Sequence, residues 1–247
     1  MPQFFVAPED VRKQSFRLTG PEAFHVVKVL RYGKGGRFEG VIEAVHEDGS
    51  VTGPLTATLK SDDVRAAVRL HLHLGLLKAS HWDYALEKGT ELGVASFVPI
   101  LTPRTVVLLH EVDRVKSKQE RWSRVVMAAA KQCGRADLPV VREPVQFRDV
   151  IRACKDKGLV LMAWEGLKGS GAGETLRPAL KEADANRSPN GLDVFLFVGP
   201  EGGFSEEEVE LAEAEGATVF SLGPRILRAE TAAAAAVALV QYEFGGL

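Results

Sequence analysis

Cysteine is nearly absent from this 247-residue chain: Cys133 and Cys154 are the only two, and they form no CxxC pair. That argues against a disulfide framework or a redox-active thiol pair, and two buried structural thiols are the simpler expectation. No long apolar run is present either. The longest, residues 232–240, is mostly alanine and too short to span a bilayer, so it reads as a buried helix rather than a membrane anchor. The opening MPQFFVAPED has neither the basic start nor the apolar stretch of a secretory signal, and with so little cysteine a reducing cytoplasm is expected. A large net charge is missing as well: the formal value is −2, which would speak against a nucleic-acid partner if the charge were evenly spread.

The charge is not evenly spread. Between Val11 and Phe38 lie Arg12, Lys13, Arg17, Lys28, Arg31, Lys34 and Arg37 against a single acid, Glu22. A second basic segment, residues 104–135, carries eight Lys or Arg against Glu111, Asp113 and Glu120, whereas residues 201–215 hold seven glutamates and no base. Clustered cations of this kind suit phosphate, although solvated faces without a ligand look the same in sequence. With 45% hydrophobic and 26% charged residues, the chain has the balance of an ordinary folded protein, not a disordered one.

Hydrophobic rhythm divides the chain. Residues 1–66 read as short strands, QFFV, SFRL, RFEGVIEAV and SVTGPLTATL, the last two around the turn signal Glu47-Asp48-Gly49. One helix is expected among them, starting at Thr19-Gly20-Pro21-Glu22 and placing Phe24, Val27 and Leu30 on one face. From residue 67 to 247, apolar strands (VRLHLHLGLL, SFVPIL, LVLMAW, VFLFVG, TVFSL) alternate with helical segments near residues 82–92, 118–133, 147–157, 206–215 and 231–244. Such alternation predicts an α/β class with a parallel sheet covered by helices. Ser80 and Ser205, each with an acid three positions on, are the expected caps, and the Gly/Ser stretch 168–173 reads as a loop.

The familiar nucleotide signatures fail. GSGAGET (residues 169–175) lacks both the spacing of GxGxxG and the GK[ST] of a phosphate loop. His71 and His73 share a strand face without a third ligand at metal spacing, so they read as core or interface histidines and no metal is expected. More informative is VGPEGGFS (198–205), which directly follows one apolar strand, and LGPRILRAETAAAAA (222–236), which follows another. Glycines there let a ligand approach main-chain amides, and loops at successive strand ends are where a parallel sheet binds its ligand. Arg228, Glu230 and Thr231 have no evident core role, although an Arg228–Glu230 ion pair shaping the loop would also account for two of them.

GPEGG followed by LGxxILRAETA resembles the two cofactor loops of RsmE-type methyltransferases of the SPOUT class. HVVKVLRYGKGG (25–36), EKGTELGV (87–94), PRT (103–105) and KQCGR (131–135) agree with it in order, so the resemblance covers nearly the whole chain. Lys131 and Cys133 depart from the family's usual residues. The resemblance implies a PUA-like β-rich domain over residues 1–66, and over 67–247 a SPOUT domain whose carboxyl end forms a trefoil knot. It implies a homodimer that takes S-adenosylmethionine and methylates N3 of a uridine in 16S rRNA of the small ribosomal subunit. Val198, Gly199, Pro200, Glu201, Gly202, Leu222, Gly223, Ile226, Leu227, Arg228, Thr231 and Ala232 would then hold the cofactor. Arg12, Arg17, His25, Lys28, Arg31, Arg104, Gln132 and Arg135 would bind RNA. Because uridine N3 carries a proton at neutral pH, Arg228 is expected to stabilise the anion and Glu230 or Glu201 to act as base. The rival functions are a non-catalytic RNA-binding protein and a knotted ribose 2′-O-methyltransferase; the intact glycine loops weigh against the first, and the β-rich start with KGTELGV against the second.

Overall fold

The computed structural model describes residues 4–6, 11–12, 15–18, 29–32, 36–40, 43–48, 50–59, 68–106, 115–135, 137–167 and 172–247. Contacts divide the chain into two units, Met1–Val64 with Met127–Leu138, and Arg65–Val126 with Pro139–Leu247. The expected boundary between residues 66 and 67 falls outside the described residues.

In the first unit β1 (Phe4–Val6), β2 (Val11–Arg12), β3 (Ser15–Leu18), β4 (Val29–Tyr32), β5 (Gly36–Gly40), β6 (Ala44–Val45) and β7 (Val51–Leu59) pair in the order β1-β4-β5-β7-β3-β2, with β6 also on β7. The two-residue period sets which side is buried: Phe16 and Leu18 point inward while Ser15 and Arg17 are exposed. The turn before β7 is closed by Asp48, whose Oδ1 accepts from the Ser50 amide at 2.9 Å and from the Ser50 hydroxyl at 2.6 Å. These bonds, with Arg17 beyond them, hold the Asp48 carboxyl below its ordinary range. The helix expected after Thr19 is corrected at its end. Leu30 belongs to β4, paired with Phe4 and Phe38, while residues 19–28 lie outside the described set.

The second unit is a parallel sheet of β8 (Val68–Gly75), β9 (Ser96–Leu101), β10 (Val140–Val141), β11 (Val145–Gln146), β12 (Leu159–Ala163), β13 (Leu192–Val198) and β14 (Thr218–Phe220). Its order is β10-β9-β8-β13-β12-β14, with β11 also on β9. The helices are α1 (Ala79–Glu91), α2 (Val115–Cys133), α3 (Phe147–Cys154), α4 (Ala172–Ala185), α5 (Glu206–Ala214) and α6 (Ala229–Glu243); α2 from residue 127 on belongs to the first unit. Both sheet faces are covered, which is why the strands read as near-continuous apolar runs. On one face Leu72, Leu161 and Leu196 share a core with Trp82 and Leu86 of α1, Leu176 and Leu180 of α4, and Val237 of α6. On the other, Ile100, Met162 and Phe197 meet Phe147 and Ile151 of α3 and Val209 of α5.

Local rules succeed and fail in informative places. Ser205 caps α5 through a full capping box: its hydroxyl accepts from the Glu208 amide and the Glu208 carboxylate accepts from the Ser205 amide. Ser80 does not cap α1; Lys78 holds that position and Ser80 lies inside the helix. Ala172 and Gly173, expected in a loop, already belong to α4, whose signal is masked by Pro178 and rests on Leu176 and Leu180 one turn apart. Of the two thiols, Cys154 is buried and pushed up to about 11 by desolvation, whereas Cys133 is exposed, against expectation.

His73 is a core histidine, stacked on Phe197 with ring centroids 4.4 Å apart. Its Nδ1 donates to the His71 carbonyl at 3.2 Å, which leaves Nε2 to accept from the Cys154 thiol at 3.9 Å. Desolvation pushes the ring down to about 3 from 6.5, so it stays neutral through the physiological range. The unfolded chain takes up this proton near 6.5; the stability that His73 contributes is therefore full above that pH and is lost as pH falls toward 3. His73→Phe is expected to flatten the decline of the urea midpoint between those two values. Parallel curves for variant and wild type would contradict this.

Candidate active site

The carboxyl edge of the sheet carries the site. β13 ends at Val198, β14 at Phe220 and β12 at Ala163, and the three loops that leave them run side by side because β12 lies between the other two. In a parallel sheet these strand ends free backbone groups that no neighbour satisfies. Two close contacts shape the first loop. A side chain at Gly75, the last residue of β8, would put its Cβ 2.2 Å from the Pro200 nitrogen, so glycine lets the loop tuck against the strand end. From beyond the loop, Arg104 Nη1 donates to the carbonyls of Gly202 (3.3 Å) and Phe204 (3.1 Å). The second loop turns at Gly223, whose φ of 108° suits only glycine, and its amide donates to the Ser221 hydroxyl at 3.1 Å.

Between the loops lies a cavity of about 510 Å³, within the range of small-molecule sites. Of the expected cofactor residues, Val198, Gly199, Pro200, Glu201, Leu222, Gly223, Ile226, Leu227, Arg228 and Ala232 line it, and so does Glu230. Gly202 and Thr231 do not: Gly202 packs against Arg104, where a Cβ would come within 2.9 Å, and Thr231 faces solvent on α6. The wall also contains His81, Trp164, Glu165 and Arg225, which sequence reasoning missed. Trp164 and Glu165 carried a usable signal, since they follow the apolar strand LVLMA as the glycine loops follow theirs. His81 carried none, because it enters from the first turn of α1.

The charged groups are arranged unequally. Glu230 is buried, and its Oε1 lies 2.8 Å from His81 Nδ1. Glu201 Oε1 accepts from the Lys78 amide at the start of α1, at 3.3 Å. Arg228 is exposed at the cavity and, among the described residues, forms no ion pair. The Arg228–Glu230 pair weighed from sequence does not form, because Glu230 turns to His81 instead. Ile226, 86% exposed at the cavity lip, offers apolar surface that a ligand would cover.

Among the expected RNA contacts, Arg17 pairs with Asp48 at 2.8 Å and Arg135 with Asp137 at 2.7 Å. Gln132 is exposed on α2, and Arg104 braces the loop just described. Arg12 and Arg31 lie on β2 and β4, with their side chains outside the described set, and His25 and Lys28 fall outside it entirely.

A family profile described as an RNA methyltransferase domain matches residues 64–241. The chain is 31% identical to ribosomal RNA small subunit methyltransferase E of Bacillus subtilis (strain 168) over 238 residues, covering 93% of this chain and 90% of that protein. The namesake from Synechocystis is 32% identical over 243 residues, covering 95% and 75%. The crystal structure of a ribosomal RNA small subunit methyltransferase E from Neisseria gonorrhoeae bound to S-adenosyl methionine superposes with a TM-score of 0.80 at 26% identity, covering 98% of this chain and 97% of that one.

Because the Gly75–Pro200 contact sets the first loop, Gly75→Ala is expected to displace Pro200 and to weaken binding of S-adenosylhomocysteine about tenfold or more. Calorimetric titration of a variant shown by circular dichroism to be folded would measure it. An unchanged affinity would mean that the loop does not form the pocket.

Proposed function

The chain belongs to the RNA methyltransferase domain family, in the group of ribosomal RNA small subunit methyltransferase E, and from that membership we propose that it transfers a methyl group from S-adenosylmethionine to N3 of a uridine in 16S rRNA. The observation that carries the reading is the cavity at the sheet's carboxyl edge, with the Arg228 guanidinium beside it, which forms no ion pair among the described residues. The residues present fit such a donor: Val198, Leu222, Leu227 and Ala232 supply apolar wall for a base, glycine-loop backbone supplies hydrogen-bonding groups, and Glu165 and Glu201 supply negative charge toward a cationic group. When bound, the sulfonium presents a methyl group already activated for transfer, so the protein's task is orientation and control of one proton.

Uridine N3 must lose that proton, and the resulting charge spreads over O2, N3 and O4. Arg228, at the start of α6 beside the cavity, supplies a cation toward which this charge develops. Arg225, on the same loop, adds a second cation at the cavity wall. Glu201 and Glu230, the carboxylates expected as base, are both engaged, the first with the Lys78 amide and the second with His81.

Other features support the wider reading. β14 lies at the sheet edge, yet residues 221–228 return the chain so that α6 packs on α1, β8 and β13, a path suited to a knotted carboxyl end. Tyr242 is 72% exposed and Leu239 is 41% exposed on α6, surface that a second copy would cover in a homodimer. The β-rich first unit, with Arg12 and Arg31 on its strands, suits a PUA-like RNA-binding role. No helix among the described residues is long and apolar enough to cross a membrane, and an rRNA substrate suits a cytoplasmic protein.

Arg228→Ala is expected to slow single-turnover methylation of purified small subunits by about a hundredfold or more while S-adenosylhomocysteine affinity changes little. Digestion to nucleosides identifies the product: N3-methyluridine supports the reading, and a 2′-O-methylated nucleoside would replace it. A full rate in the variant would remove Arg228 from the chemistry.

A further inference from the structure

We propose that His81 is the general base that takes the N3 proton of the target uridine, oriented by Glu230; the assignment rests on the methyl-transfer reading above. His81 stands at the cavity wall in the first turn of α1, on an element with no glycine-loop motif. Its Nδ1 lies 2.8 Å from Oε1 of Glu230, whose side chain is 10% exposed while that of His81 is 37% exposed. A buried carboxylate can only accept, so Nδ1 carries the hydrogen and the tautomer is set. Nε2 is then the lone-pair nitrogen, and it has no partner among the described residues. A carboxylate that fixes the tautomer of a half-exposed imidazole and compensates the imidazolium once formed is the arrangement a histidine base requires. Glu230 itself is poorly placed for the task, since it is buried and its Oε1 is already engaged by His81.

In the step, the N3–H bond breaks and its proton goes to Nε2. The electron pair left on N3 forms the bond to the methyl carbon, whose bond to sulfur breaks with its pair remaining on sulfur. The imidazolium, paired with Glu230, afterwards returns its proton to solvent. Charged groups facing the same cavity are Glu165 after β12, Glu201 after β13, and Arg225 and Arg228 after β14. The two arginines favour the uracil anion, which offsets the weakness of imidazole as a base for N3.

The test is single-turnover methylation of purified small subunits by wild type, His81→Ala and Glu230→Gln across the neutral pH range, with and without added imidazole, beside calorimetry with S-adenosylhomocysteine. His81→Ala is expected to lose about a hundredfold or more in rate and to keep the wild-type affinity. Imidazole should restore part of the rate in His81→Ala and none in Glu230→Gln. A His81→Ala variant that keeps its rate overturns the assignment, as does one whose cofactor affinity falls as far as its rate without imidazole rescue, since that is the signature of a tie between α1 and α6. Wild type that forms no methyluridine would overturn the methyl-transfer reading itself, whereas an active wild type with an active His81→Ala sinks the base alone.

Discussion

The structure turns on the meeting of parallel strand ends. β8, β13, β12 and β14 run the same way and lie next to one another, so the backbone that leaves their carboxyl ends converges on one edge. One close point is Gly75 against Pro200, where an added Cβ would come within 2.2 Å of the Pro200 nitrogen. Everything in the cavity wall inherits its position from this edge: the loop braced by Arg104, the turn at Gly223, and α6, whose first residues return to the same place. Packing on both sheet faces keeps the strands still, and the loops add recognition to a rigid base.

Electrostatics then sorts the charged residues by what already holds them. Glu201 serves the start of α1 and Glu230 serves His81, so neither is a free carboxylate. Arg228 has no such engagement among the described residues and stays available to a developing negative charge. A single loop thus carries an exposed cation, Arg228, beside the apolar side chains of Leu222, Ile226 and Leu227 at one cavity. Transfer of an already activated methyl group asks of such a site chiefly alignment.

Much of this was legible in the chain. The apolar runs VRLHLHLGLL, SFVPIL and VFLFVG gave strands because both sides of a parallel sheet are buried, and the glycine loops stood out because each follows such a run. Ser205 announced its helix through Glu208. Other parts were not legible, for physical reasons. Leu30 belongs to β4 because pairing with Phe4 and Phe38 outweighs the local helical spacing. α4 hides behind Pro178, and Ser80 loses the capping position to Lys78. His81 and Gly75 matter through residues more than a hundred positions away, and no local pattern reports such contacts.

The most direct test of the account is a crystal structure of the protein soaked with S-adenosylhomocysteine. Density between the loops after Val198 and Phe220, beside Arg228 and within reach of His81, is the result expected. Density at any other part of the sheet, with this cavity holding only solvent, would contradict it.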